Sequence, residues 1–123
     1  MYLERLSAFV KVENVEFREI SALTRRFPPS ADHPWVLLDE RGKNWSSKEL
    51  ALQLQQWSED PAIKSLVFVI GGPMGVGPEL KGTVKWTWAL SRATLTSDMS
   101  WLICVEQIYR AYSILKNTGY HHE

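Results

Sequence analysis

Apolar residues recur at Leu3, Leu6, Phe9 and Val10 with the spacing of one helical face, which predicts a helix over residues 1–12. Glu13-Asn14 interrupts it. Val15, Phe17 and Ile20, separated by Glu16, Arg18 and Glu19, read as a short strand with one wet face. Arg25-Arg26, Pro28-Pro29-Ser30 and Pro34 then mark a loop, since proline lacks the amide hydrogen that regular structure uses. Trp35-Val36-Leu37-Leu38 reads as a second strand, closed by Asp39 and turned at Arg41-Gly42.

Ser46 and Glu49 have the spacing of a capping box, in which each residue's side chain satisfies the other's backbone amide. Leu50, Leu54 and Trp57 recur at i, i+4, i+7 while Gln53, Gln55 and Gln56 face away, so a helix lies on one side of a core until Asp60-Pro61 stops it. Leu66–Ile70 has no polar alternation, the pattern of a strand buried on both faces in a parallel sheet. A glycine loop, Gly71–Pro78, follows directly; Pro78 suits the first turn of a helix that Gly82 keeps short. Trp86, Trp88 and Leu90 alternate with Lys85, Thr87 and Ala89 as a further strand. Met99–Lys116 is the last helix, apolar nearly all round and broken by Glu106, Gln107, Arg110 and Ser113. Such a helix is buried, and a small chain cannot easily enclose one, so part of it is expected to pack on another subunit. The order strand, helix, strand, glycine loop argues for an α/β layered fold.

Composition narrows the function classes. With 123 residues the chain fits one domain, residues 1–123. Hydrophobic residues at 45% and charged residues at 23% exclude a disordered tail, a collagen-like fibre and a disulfide scaffold. Lys+Arg and Asp+Glu both number 14, so the chain lacks the basic excess that binds naked nucleic acid. A nucleic-acid role would use a local basic patch, a dimer or a pre-assembled target. The single cysteine, Cys104, forms no internal disulfide and reads as an inert buried thiol. The first residues do not read as a signal peptide, and Leu66–Ile70 is too short to cross a bilayer, so no membrane role and a cytoplasmic location are expected. His33, His121, His122 and Cys104 show no zinc spacing, and no metal is expected.

Two constellations could carry chemistry. Ligands of open α/β sheets sit beyond the carboxyl ends of strands, where glycine lets backbone approach closely. The glycine loop reads equally as such a site or as a tight strand-to-helix turn. It is not a P-loop, because Lys81 is followed by Gly82, and no glycine falls three after Gly77 to complete a dinucleotide motif. Glu106 and Arg110 form an i, i+4 pair flanked by Tyr109 and Tyr112. A surface ion pair is the plain reading; polar groups retained on so apolar a helix usually have partners or a task.

Val69-Ile70-Gly71-Gly72-Pro73-Met74-Gly75, Trp88-Ala89-Leu90-Ser91, Thr94-Leu95, Glu106–Ala111 and the closing Tyr120-His121-His122-Glu123 together resemble the RlmH family, bacterial pseudouridine N3-methyltransferases of large-subunit (23S) ribosomal RNA in the SPOUT class. Leu38-Asp39, Gly42-Lys43 and Trp45 resemble the segment ahead of that family's middle helix. The likeness covers most of residues 35–123. It implies an α/β domain with a parallel sheet flanked by helices, a C-terminal deep trefoil knot and a homodimer. It further implies that S-adenosylmethionine lies in the knot crease against Leu38, Gly71, Gly72, Leu90, Ser91, Arg92, Ala93, Thr94 and Leu95. Glu106, Arg110 and His121 would be the catalytic residues, and Tyr120 and His122 would meet the RNA. Arg25, Arg26, Arg41 and Lys43 are the expected phosphate contacts on a ribosome. The chain departs from the family pattern at Thr96–Trp101, where a Pro-His and a later Arg are usual, and at His122, where Arg is usual. The family also opens with a strand that would precede Met1 and carries a longer basic segment where Ser21–Pro34 runs, so the chain reads as a shortened, divergent member. Those departures motivate an alternative, a non-catalytic knotted dimer that keeps the cofactor and serves as an interaction module. A third reading is an ordinary nucleotide-binding α/β domain. Gly72→Val is expected to abolish S-adenosylmethionine binding without unfolding the dimer, since a branched side chain fills the space that glycine leaves beside a ligand; unaltered titration heats in calorimetry would contradict it.

Overall fold

Strand β1 (Trp35–Lys43) runs between two parallel neighbours, β2 (Val67–Ile70) and β3 (Trp86–Trp88), in the order β2-β1-β3. The computed structural model describes residues 1–71 and 84–121. Gly72, His122 and the short helix expected after Pro78 lie outside them. Chain order among the described residues is α1 (Tyr2–Leu6), α2 (Ile20–Arg26), β1, α3 (Ser47–Glu59), β2, β3 and α4 (Ser97–Lys116).

Trp35, Val36 and Leu37 are all at most 1% exposed, so β1 is the strand covered on both faces. Val36 joins Leu50, Leu54 and Trp57 of α3 and Cys104, Ile108 and Ala111 of α4 in one core, with Phe68, Ile70 and Trp86 against it. Trp35 and Leu37 point the other way, to Val69 and to Leu23 of α2. α3 and α4 therefore share one face of the sheet, and α2 touches the opposite one. Aromatic edges lock the larger core: Trp57 meets Trp86 at 5.1 Å between centroids and Trp45 at 5.9 Å, both near perpendicular.

α3 begins as its sequence dictates. Ser46 Oγ accepts the Glu49 N–H at 3.1 Å, and the Ser46 N–H donates to Glu49 Oε1 at 2.8 Å. Ser47 then donates its hydroxyl to Gln107 Oε1 at 2.9 Å and joins α3 to α4. Thr96 caps α4 through the Met99 N–H, two residues earlier than the apolar run suggested. At its other end Asn117 adopts φ 53°, ψ 51°. Its N–H donates to the Ile114 carbonyl and the Thr118 N–H to that of Ser113, the paired bonds of a Schellman stop. Gly119 follows at φ 84°, and the chain doubles back along α4.

Five local expectations are corrected. α1 ends at Leu6, where Ser7 turns the chain and donates its hydroxyl to the Glu4 carbonyl, so the first helix stops short of residue 12. No strand forms over Val15–Ile20: Ile20 opens α2, because the described ladder positions beside β1 belong to β2 and β3 and Leu23 buries better from a helix. Arg25 and Arg26 are the last turn of α2 rather than loop, at the helix end that favours positive charge. β1 does not turn at Arg41-Gly42 but continues past an irregularity to pair Lys43 with Trp88. Gly42 serves a close approach there, since a Cβ on it would lie 2.6 Å from the Thr87 carbonyl carbon. Leu66–Ile70 also shifts slightly: β2 starts at Val67, and only Val69 within it is fully buried.

Gly42→Ala is expected to lower stability by about 1–3 kcal/mol, the range for forcing atoms into filled space. Urea unfolding followed by tryptophan fluorescence reads it; an unchanged midpoint would mean that the β1–β3 approach tolerates a side chain.

Candidate functional site

Both outer strands end opposite Leu38, while β1 runs on to Lys43. Leu38 is paired with Ile70 on one side and Trp88 on the other, so Leu38, Gly71 and the segment leaving β3 converge on one rim of the sheet. This is the edge at which open α/β sheets hold ligands. The rim is braced by polar ties. Ala89 N–H donates to the Lys43 carbonyl at 2.9 Å, and Asn44 Nδ2 donates to the Ala89 carbonyl at 2.8 Å. Ser91 Oγ accepts the Ala93 N–H at 3.0 Å, and the Thr94 hydroxyl donates to Glu40 Oε2 at 2.8 Å. Ser97, the first residue of α4, donates its hydroxyl to the Gly71 carbonyl at 3.3 Å. Leu38, Leu90, Ser91 and Leu95 are half-buried, whereas Arg92, Ala93 and Thr94 are exposed. Of the residues expected around a cofactor, the structure thus brings together Leu38, Gly71 and Leu90–Leu95. The Glu40–Thr94 tie had no signal in the sequence, because the two residues are far apart along the chain.

The second cluster is built on the other half of α4. Glu106 and Arg110 pair at 2.8 Å through Oε1 and Nε, with side chains 17% and 26% exposed. A second contact, Nη2 to Oε2 at 3.4 Å, makes the pair two-pronged. Hydrogen bonding to Glu106 raises the Arg110 pKa, so the guanidinium is a fixed cation. The reversed tail lays Tyr120 over it, 4.9 Å from guanidinium carbon to ring centre. His121 Nδ1 lies 3.1 Å from Arg110 Nη1. A guanidinium can only donate, so Nδ1 accepts and the ring proton sits on Nε2. The Tyr120 hydroxyl donates to that of Tyr2 at 3.2 Å, and its ring stands edge-on to Tyr109 at 4.7 Å. That bond and burial push the Tyr120 phenol up to about 12. Glu106, Arg110, Tyr120 and His121 are therefore one constellation, as the family resemblance implied. Tyr2 belongs to it too, and only the fold reveals that.

The two clusters are not adjacent within one chain. Glu106 and Arg110 lie nine and thirteen residues beyond Ser97, roughly 14–20 Å along the helix axis. The basic residues divide as well. Arg41 and Lys43 are exposed on β1 near the rim, while Arg25 and Arg26 sit on α2 at the opposite face, Arg26 paired with Glu13 at 2.6 Å. Cys104 is 2% exposed, and burial pushes its thiol up to about 12, which fits an inert core position. A cavity of about 640 Å³ opens at the other end of the strands, lined by Pro34, Trp35, Trp57, Ile63, Lys85 and Trp86. It contains none of the rim or tail residues. Among the described residues no group of three or more His, Cys, Asp or Glu is placed to hold a metal ion, and no helix is long and apolar enough to cross a membrane.

Similarity to known proteins agrees with this geometry. A ribosomal RNA large subunit methyltransferase H of Maridesulfovibrio salexigens is 41% identical over 104 residues, covering 85% of this chain and 65% of its own. Proteins of the same name from Chromobacterium violaceum and Gloeobacter violaceus are 42% and 34% identical, over 98% of this chain and 74% and 85% of theirs. The chain thus spans about two thirds of the length of the first of these relatives. The family described as "Predicted SPOUT methyltransferase" matches residues 1–121. The chain belongs to the SPOUT methyltransferase family.

Proposed function

We propose that the chain transfers a methyl group from S-adenosylmethionine to N3 of a pseudouridine in large-subunit ribosomal RNA, on the assembled ribosome in the cytoplasm, as a homodimer with a C-terminal trefoil knot. The convergence of Leu38, Gly71 and Leu90–Leu95 at the carboxyl rim of three parallel strands carries this reading. The rim suits the cofactor chemically. Leu38, Leu90 and Leu95 offer apolar walls for an adenine ring, and Ser91, Thr94 and the Gly71 carbonyl offer hydrogen bonds to a ribose and an amino acid. Gly72 and Arg92 and Ala93 complete the expected lining. When bound, the cofactor supplies a methyl group on a sulfonium, already activated for transfer.

The protein's own part is alignment and proton handling. Holding a nucleophile in line with the methyl group can contribute about 7–11 kcal/mol. N3 of the base carries a proton that must leave. His121 Nδ1 already accepts from Arg110, so it is not the acceptor of the N3 proton. A water held by Glu106 is then the better proton acceptor, and Arg110 balances the charge that develops. Arg41 and Lys43 beside the rim, Arg25 and Arg26 on the far face, and Tyr120 and His122 on the tail are the proposed RNA contacts.

The separation along α4 supports a composite site, with the tail of one copy meeting the rim of the other. Met99 and Leu102, 48% and 44% exposed on α4, offer apolar surface for that pairing.

Labelled methyl transfer to ribosomes lacking the modification tests the reading; incorporation at a pseudouridine is expected, and tight cofactor binding with no incorporation would favour the interaction module instead. Mixing Gly72→Val chains with Arg110→Ala chains, each inactive by itself, is expected to restore about a quarter of full activity, because half of the dimers then hold one complete site. No recovery would mean that rim and tail act within one chain.

A further inference from the structure

The tail beyond Thr118 is held mainly by side chains, and one of them comes from the opposite end of the sequence. Tyr120 stands on Tyr109 and Arg110, both of α4. Its hydroxyl, however, is bonded to Tyr2 in α1 at 3.2 Å. Tyr2 itself is half-buried, with its ring 5.9 Å from Tyr109 and the Arg5 guanidinium 5.8 Å from its face. Phe9, just past α1, stacks on Tyr112 at 6.0 Å and completes the contact of this segment with α4. α1 has five residues and could not persist in water unaided, so its role is set by what it packs on.

We propose that Tyr2 is a positioning residue for the tail: its hydroxyl fixes Tyr120, and through it His121, over the Glu106–Arg110 pair. The inference rests on the function proposed above and names a residue that neither sequence motif nor spacing had drawn into the site. The geometry gives the bond a direction. Tyr120 donates and Tyr2 accepts, so the Tyr2 ring needs only an oxygen at that point, anchored by its packing on Tyr109. Without that oxygen Tyr120 keeps its ring contacts but loses its hydrogen bond to α1. The turn at Asn117 and Gly119 then no longer fixes the distance from His121 Nδ1 to Arg110 Nη1 through the Tyr120 ring.

Tyr2→Phe keeps the ring and removes the oxygen, so folding is preserved and the tie is cut. Turnover at saturating ribosome is expected to fall about three- to tenfold, the worth of one neutral hydrogen bond, while KM for S-adenosylmethionine stays unchanged. A purely structural role would move both. Tyr120→Phe cuts the same bond from the other side, and the double variant is expected to be no worse than the poorer single one. Labelling the tyrosine ring carbons for NMR gives a second reading in the same full-length protein: the Tyr120 ionisation midpoint, near 12 in the intact pair, is expected to drop in Tyr2→Phe. An unmoved midpoint, or turnover equal to that of the unaltered chain, overturns the proposal. Should the unaltered chain transfer no methyl group at all, the proposed function fails, and the NMR midpoint by itself then decides whether Tyr2 holds the tail.

Discussion

The double pairing of Leu38, with Ile70 on one side and Trp88 on the other, is the constraint from which the rest of the molecule follows. Parallel strands can be neighbours only if the chain crosses over between them, and α3 is carried by the crossover from β1 to β2. Opposite Leu38 both outer strands reach their carboxyl ends, while β1 runs on to Lys43 beside them. The loops leaving them must then share one rim. Ser97 on the Gly71 carbonyl and Thr94 on Glu40 join the start of α4 and the β3 loop to that same rim. A slip of one residue in either ladder would turn Val36 and Leu38 out of the core and scatter the rim at once.

α4 connects this rim to the second cluster. Its buried line, Cys104, Val105, Ile108 and Ala111, is what fastens it to the sheet and to α3. The side that remains carries Glu106 and Arg110, and the Schellman stop returns Tyr120 and His121 to that side. An i, i+4 ion pair on a helix contributes little to stability by itself, about 0.3–0.5 kcal/mol. Its value is geometric. Arg110 spends two nitrogens on Glu106 and a third on His121, so a carboxylate, a guanidinium and an imidazole are held in one orientation by donors that cannot reverse roles.

Much of this was legible in the chain, for reasons that can be named. The Ser46–Glu49 box, the Leu50–Leu54–Trp57 face and the Glu106–Arg110 pair are local, each set by residues within two turns, and each appears where its spacing put it. Trp35–Leu38 was readable as an apolar run and Trp86–Trp88 from its alternation with Lys85 and Thr87. What failed was decided by distant parts. Val15, Phe17 and Ile20 alternate like a strand, but alternation cannot provide a neighbour to bond with, and α2 forms instead. Gly42 looked like a turn because glycine often is one; its true reason is the Thr87 backbone across the ladder. The partners Tyr2–Tyr120 and Glu40–Thr94 lie too far apart in sequence for any period to join them.

Charge sets the remaining problem, how a chain with no net charge could address RNA. Uniform charge is not required if cations are few and fixed. Arg110 is held in one orientation by Glu106 and Arg26 by Glu13 on the opposite face, while Arg41 and Lys43 stand exposed beside the rim. A free polynucleotide would find little to hold, since its affinity scales with the number of phosphates neutralised. A rigid, folded RNA surface is different, because a few correctly placed contacts then need no ordering of the target. Under the proposed function, neutrality at the level of the whole chain would act as a filter against loose RNA and leave recognition to shape, which suits an assembled particle better than a strand in solution.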